Sequence, residues 1–195
     1  DSSLRPQAMY LLGTSYYNLS KFAEAIEVFK SITREYSQDQ EMCQKAEYEI
    51  ADAYYRMGNE AEAMSRFKSL RAKYPDSSLT VEVMWWLGEY YYRHQDFNLA
   101  RRYFSALIHD FPSSNLVPDA YYALGSIDDD EGKFSDAIDN FKKVTELGKA
   151  DLAGTAVIAM ADVYAKSDQI DLALKTYRDA VEANPNYAAL ILPRS

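Results

Sequence analysis

The sequence predicts an all-α fold of about ten helices, stacked as five antiparallel pairs. Three observations predict it. A motif recurs at nearly constant spacing, the apolar positions inside each copy follow helical periodicity, and no sustained alternating run marks a strand. The recurring landmarks begin with a small residue: Gly13, Ala51, Gly88, Gly125, Ala161. An alanine follows twelve residues later (Ala25, Ala63, Ala100, Ala137, Ala173), and four residues beyond it an aromatic (Phe29, Phe67, Phe104, Phe141, Tyr177). Successive small residues stand 38, 37, 37 and 36 residues apart. A period of this size means a stacked repeat array, and such arrays present extended binding surfaces.

Each repeat reads as helix–turn–helix, over residues 6–37, 44–75, 81–112, 118–149 and 154–185. The third is the clearest. Met84, Leu87, Gly88 and Tyr91 recur at i, i+3, i+4 and i+7 and give one face of a first helix. His94-Gln95-Asp96 breaks it, and Asp96 is placed to cap a second helix that buries Phe97, Ala100, Phe104 and Leu107. Phe111-Pro112 then closes the unit, because proline cannot continue a helix. Gly58 and Gly132 fall at the same place in the turn between helices, where a left-handed residue is needed. Asn59 with Glu62 reads as a capping box. The small residues are expected to let paired helices approach closely, with the aromatic filling the gap between neighbouring pairs. The fourth repeat departs from the plan: Asp128 stands at the Tyr91 position and Lys149 near the expected proline. Its first helix is therefore expected to end early or be distorted. The last residues, 186–195, read as a short capping helix or a truncated sixth repeat.

These residues resemble the tetratricopeptide repeat (TPR) family, whose pattern is W-x2-L-G-x2-Y…A-x3-F…P. The third repeat reads Met84-x2-Leu87-Gly88-x2-Tyr91…Ala100-x3-Phe104…Pro112, and the first Met9-x2-Leu12-Gly13-x2-Tyr16…Ala25-x3-Phe29. The second has Ile50-Ala51-x2-Tyr54…Ala63-x3-Phe67…Pro75, and the fifth Met160-Ala161-x2-Tyr164…Ala173-x3-Tyr177…Pro185. The resemblance covers about residues 6–185 and implies a single domain, a right-handed TPR solenoid of five helix-turn-helix repeats with a short C-terminal segment. The junctions Tyr74-Pro75-Asp76-Ser77-Ser78 and Phe111-Pro112-Ser113-Ser114 resemble those of bacterial envelope TPR proteins. Two such families are the cell-division coordinator of the Tol–Pal system and the lipoprotein of the outer-membrane β-barrel assembly machine. That likeness implies a periplasmic or envelope setting, with the cytoplasm as the alternative.

Composition bounds the partners. The net charge of −9 and pI near 4.8 argue against nucleic acid and against an anionic membrane surface. No apolar run approaches the roughly 20 residues that span a bilayer, so direct membrane insertion by this segment is not expected. The single cysteine, Cys43, excludes an intramolecular disulfide. The opening Asp1-Ser2-Ser3-Leu4-Arg5-Pro6 lacks an initiator Met and leads straight into a repeat, which reads as a processed chain or part of a longer one.

In TPR arrays the first helices line the concave face. The resemblance puts repeat positions 2, 5, 9, 12 and 13 there, counted from Pro6, Gln44, Val81, Pro118 and Gly154. Position 5 reads Tyr10, Tyr48, Trp85, Tyr122, Ile158, and position 12 reads Tyr17, Tyr55, Tyr92, Asp129, Ala165. Residues seven apart share a helical face, so the aromatics form a double ladder. Aromatics of this kind make binding hot spots. Charge is graded along the same face: Lys45, Asp52, Arg56, Glu82, Glu89 and Arg93 mix both signs in the middle, and Asp119, Asp129 and Asp130 make the fourth repeat acidic. The expected partner is a protein or peptide segment with apolar side chains at one end and Lys/Arg at the other. The carboxylate clamp of chaperone-binding TPR proteins is not expected, because Tyr10 and Thr14 occupy its first-repeat positions. Two rival readings stay open: an aromatic platform for glycan or peptidoglycan, and a structural domain that self-associates.

Catalysis is not expected, nor any cofactor. Asp128-Asp129-Asp130-Glu131-Gly132 invites calcium, but its glycine is fifth rather than sixth, so it reads as a solvated helix end. His94 and His109 lack a second ligand at zinc spacing, so no metal site is expected. Cys43 has no adjacent histidine and reads as a packed or surface thiol.

Overall fold

The structure is a computed structural model that describes residues 4–75, 77–148 and 150–185. Lys149 and residues 186–195, for which the sequence raised a distorted junction and a cap or sixth repeat, lie outside them. The described residues form helices and no strand. In chain order these are α1 Arg5–Asn18, α2 Phe22–Glu35, α3 Gln40–Arg56, α4 Glu60–Lys73, α5 Leu79–Arg93, α6 Phe97–Asp110, α7 Val117–Asp130, α8 Phe134–Glu146, α9 Ala150–Lys166 and α10 Ile170–Ala183. They pair as the sequence predicts. Helices α3 and α9 start four residues ahead of the repeat boundaries read from the sequence; in α3 the reason is visible, since Asp39 caps the extra turn by accepting from the Met42 N–H at 3.0 Å. The chain divides into two compact units, Asp1–Leu87 and Gly88–Ser195, at a point within α5.

One contact recurs in both units. A Cβ built on Gly13 would stand 2.6 Å from Phe29, and one on Gly88 or Gly125 would stand 2.5 or 2.7 Å from Phe104 or Phe141. The ring therefore lies directly on the backbone of the first helix of its own pair. Phe29, Phe104 and Phe141 are at most 2% exposed. In the first unit the same ring also serves the next repeat, because Phe29 clusters with Met42, Ala46 and Ile50 of α3. In the second unit Phe141 clusters with Ala156 and Val163 of α9.

The turns between paired helices are alike in all five repeats. The N–H three residues past the last helical residue donates back to the backbone oxygen of the residue at the tyrosine position: Lys21 to Tyr16, Asn59 to Tyr54, Asp96 to Tyr91, Lys133 to Asp128 and Gln169 to Tyr164, all at 2.7–2.9 Å. This closure requires one left-handed residue. Glycine supplies it at Gly58 and Gly132, whereas Ser20, Gln95 and Asp168 adopt it at φ of 58–63°. Asp96 caps α6 as expected, accepting from the Leu99 N–H at 3.1 Å. The Asn59 capping box is only half made: Asn59 accepts from the Glu62 N–H at 3.3 Å, but the Glu62 carboxylate turns to Arg66 Nε at 2.7 Å.

The fourth repeat corrects the sequence reading. Helix α7 is not cut short: it ends at Asp130, two residues past Asp128, as α5 ends two past Tyr91. The turn uses the backbone oxygen of Asp128, which any side chain leaves available. Nor is Asp128 solvated, being 1% exposed. Arg101 Nη2 of α6 lies 2.8 Å from its Oδ1 as an ion pair off hydrogen-bond alignment, and Asn140 Nδ2 of α8 donates to its Oδ2 at 2.7 Å. Arg101 also donates to Glu131 at 2.6 Å. One residue past the landmark alanine the repeats carry Ile26, Met64, Arg101, Ile138 and Leu174. Ile26 packs in a cluster with Tyr54, and Ile138 in one with Tyr164. At the junction of repeats three and four an Arg–Asp pair replaces that Ile–Tyr combination.

Four variants test these contacts. Arg101→Ile alone strands a buried carboxylate and should cost about 3–5 kcal/mol. Arg101→Ile with Asp128→Tyr reproduces the apolar combination and should return urea stability to within about 1 kcal/mol of the parent; losses that simply add would contradict the pairing. Gly88→Leu should cost about 2–3 kcal/mol by driving Phe104 off the helix. Gln95→Gly should raise stability by about 0.5–1 kcal/mol, since it removes a left-handed non-glycine residue.

Candidate partner-binding face

The first helices of neighbouring repeats touch directly within each unit, α1 with α3 and α7 with α9. Side chains at repeat positions 5, 6, 9, 12 and 13 are thereby brought together. In the first unit Tyr10 donates to Glu49 Oε1 at 2.6 Å. Tyr17 donates to the Asp52 carboxylate, and Arg56 Nε donates to the Tyr17 hydroxyl at 3.0 Å while lying 3.6 Å from Asp52. In the second unit Tyr92 donates to Asp130 Oδ2 at 2.9 Å, and Lys166 Nζ donates to Asp129 Oδ2 at 2.6 Å. Each bond joins the first helix of one repeat to that of the next. The expected double ladder is thus a set of rungs cross-tied through their polar ends.

The rings are half-buried rather than fully exposed. Tyr10, Tyr48 and Tyr122 lean on Phe29, Phe67 and Phe141 at centroid distances of 5.5, 5.4 and 5.2 Å. Tyr17 meets Phe22 edge-on at 5.3 Å, and Tyr92 lies tilted on Phe97 at 5.9 Å. Tyr55 packs edge-on against Trp86, whose ring also lies 4.3 Å from Phe67. Trp85, Glu89 and Arg93 sit on α5, Glu89 half-buried and Arg93 exposed. Asp119 is half-buried at the start of α7.

Burial and carboxylate neighbours shift the phenols. Desolvation first and the hydrogen bond to Asp52 second push Tyr17 up to about 12. Desolvation and the hydrogen bond to Asp130 do the same for Tyr92, also to about 12, and desolvation is the main cause for Tyr48. Burial pushes the Glu49 and Glu89 carboxyls up as well.

A cavity of about 390 Å³ opens on this face between α7 and α9. Tyr122, Ser126 and Asp129 line it from α7, Phe141 from α8, and Asp162 and Lys166 from α9. The sequence pointed to Tyr122 and Asp129, and to Asp130 for its charge; it missed Ser126, Asp162 and Lys166 here, and Glu49 and Trp86 as partners of the rungs. The signal was present, since Ser126 and Asp162 occupy position 9 and Asp130 and Lys166 position 13 of the same repeat frame. Elsewhere, the Cys43 thiol is buried, donates to the Tyr36 carbonyl at 3.4 Å and is pushed up by burial. Among the described residues no group of three or more His, Cys, Asp or Glu could hold a metal ion, and no helix is long and apolar enough to cross a membrane.

Tandem helix pairs with this internal contact define a helical repeat protein. Family models described as tetratricopeptide repeat match residues 7–39, 48–115, 87–150 and 122–188, so the chain belongs to the tetratricopeptide repeat family. Proteins of that family serve as protein-interaction scaffolds and are in general non-catalytic. Solved structures share the fold. MamA AMB-1 is 21% identical with a TM-score of 0.66, over 98% of this chain and 100% of that one. MamA 41-end from Desulfovibrio magneticus RS-1 is 15% identical with a TM-score of 0.72, over 93% and 96%. A Podosopora anserina putative kinesin light chain with nearly identical TPR-like repeats is 12% identical with a TM-score of 0.70, over 97% and 99%. At these identities the likeness speaks for the fold alone. No curated protein matches the chain in sequence.

The cross-tied phenols predict an alkaline transition. A phenol raised above its unfolded value of about 10 stabilises the fold fully below that pH. The contribution is lost as pH rises from about 10 through about 12, the value for Tyr17 and Tyr92. Absorbance at 295 nm should show part of the tyrosines ionising only in that window, together with loss of helical circular dichroism. Tyr17→Phe should shrink the delayed fraction, and an unchanged titration would contradict the Tyr17–Asp52 bond.

Proposed function

We propose that this protein is a non-catalytic scaffold that holds a segment of a partner protein on its first-helix face. The observation that carries the reading is the set of half-buried rings tied by hydrogen bonds to the next first helix. Rings held in place lose little freedom on binding and keep an apolar face available, which favours a peptide or helix with apolar side chains. In the first unit Tyr10, Tyr17, Tyr48, Tyr55 and Trp85 offer such surface, with Asp52 and Arg56 as polar contacts. In the second, Glu89, Tyr92, Arg93, Tyr122 and Asp129 offer a more acidic surface suited to Lys or Arg. A setting in bacterial envelope assembly rests on the likeness of the Tyr74-Pro75 and Phe111-Pro112 junctions to envelope TPR proteins.

Affinity capture from native lysate tests the reading, with the parent beside a folded Trp85→Ala/Tyr92→Ala variant. We expect at least one retained protein to drop by about tenfold or more, the loss typical of removing hot-spot aromatics. A variant with native circular dichroism that keeps every partner of the parent would remove the first-helix face as the binding surface.

A further inference from the structure

The cavity between α7 and α9 has the chemistry of a site for one cation on a stem. Two carboxylates line it, and only one cation does. Asp162 already accepts from the Tyr177 hydroxyl through one oxygen. Asp129 gives Oδ2 to Lys166, and its Oδ1 is buried with no hydrogen-bond partner. A buried carboxylate oxygen without a donor is unfavourable. A guest that carries N–H donors into the cavity would meet the Asp129 and Asp162 carboxylates that line it. The wall is suited to the stem of such a guest: Tyr122 leans on Phe141 and offers an aromatic face on which a guanidinium or ammonium can rest. The Tyr122 phenol is pushed up by burial first and by the negative charge of Asp162 second, consistent with an electronegative interior.

Lys166 is the competitor for this place. Its ammonium reaches Asp129 across the mouth of the cavity, while its side chain stays 54% exposed. An ion pair that open to water contributes little, so an incoming cation can displace it. Arg101 is engaged by Asp128 and Glu131, and Lys133 by Glu131.

We propose that the α7–α9 cavity, built by Tyr122, Ser126, Asp129, Asp162 and Lys166, is a subsite for a single Arg or Lys side chain of the partner polypeptide, with Lys166 as its displaceable internal occupant. The proposal rests on the first-helix face being the binding surface and names the chemistry one subsite reads.

The test is an amide NMR titration of the 195-residue chain with acetyl-arginine amide and with acetyl-citrulline amide, which has the same shape without the charge. Arginine should shift the amides of Tyr122, Ser126, Asp162 and Ala165, and citrulline should bind at least tenfold more weakly. Asp129→Asn should weaken arginine binding at least fivefold. Lys166→Met, which removes the competitor and leaves both carboxylates, should tighten it severalfold and keeps the test decisive if Asp129→Asn fails to fold. Equal binding of citrulline, arginine shifts confined to other helices, or weaker binding by Lys166→Met would each overturn the proposal. Spermidine binding more tightly than arginine amide would overturn it in favour of a free polyamine. These outcomes are separable from the capture experiment. Arginine binding lost while capture still depends on Trp85 and Tyr92 removes the subsite alone; arginine binding kept while capture is unaffected removes the wider reading alone.

Discussion

The contact between a glycine on the first helix and an aromatic ring on the second sets everything else in this chain. With no Cβ at Gly13, Gly88 and Gly125, the rings of Phe29, Phe104 and Phe141 rest on helix backbone. The distance between paired helices is then fixed by ring thickness rather than by an interlocking of long side chains. Because the same ring also reaches the next repeat, as Phe29 does to α3, the geometry within a pair dictates the geometry between pairs. A small residue and a ring recur at 36–38 residues, with Ala51 and Ala161 standing in place of glycine in the second and fifth repeats, and so one pairing becomes an array.

Burial follows the same nearest-neighbour logic. Ile50, Leu87 and Leu124 are 0–7% exposed, whereas Leu12, at the same position of the first repeat, is 48% exposed. Ile26 and Ile138 are 3% and 7% exposed, and Leu174 at their position in the fifth repeat is 55% exposed. Identical sequence positions thus bury or expose according to whether a described repeat lies beside them. Stability of such a chain is a sum over pairs and junctions, so a change at one junction is felt locally.

Much of this was legible in the sequence because the fold is built from repetition. Five copies of Gly/Ala, Ala and aromatic at constant offsets specify both helices, the turn and the close packing, and the left-handed turn position could be read from Gly58 and Gly132. What could not be read was where a polar side chain goes when two neighbours compete for it. Glu62 sits correctly for a capping box and instead turns to Arg66. Asp128 looked like a break in the pattern because the tyrosine it replaces is apolar-facing; its partners, Arg101 and Asn140, lie 27 and 12 residues away on other helices. The rungs at positions 5 and 12 were visible as aromatics, but their hydrogen bonds to Glu49, Asp52 and Asp130 required the lateral spacing of neighbouring first helices, which periodicity does not supply.

The run Asp128-Asp129-Asp130 shows what helical geometry does to a block of like charge. Successive residues of a helix point about 100° apart, so three adjacent carboxylates cannot converge on one ion. They diverge instead to four neighbouring helices: Asp128 to Arg101 and Asn140 on α6 and α8, Asp129 to Lys166 on α9, and Asp130 to Tyr92 on α5. Each engagement fixes α7 against a different element. Only the middle one leaves an oxygen unspent beside a cavity. The substitution that breaks the repeat pattern and the feature that distinguishes the acidic face therefore have a common origin in one turn of α7. Asp128 locks the junction beneath, and the lock holds Asp129 where a guest can meet it.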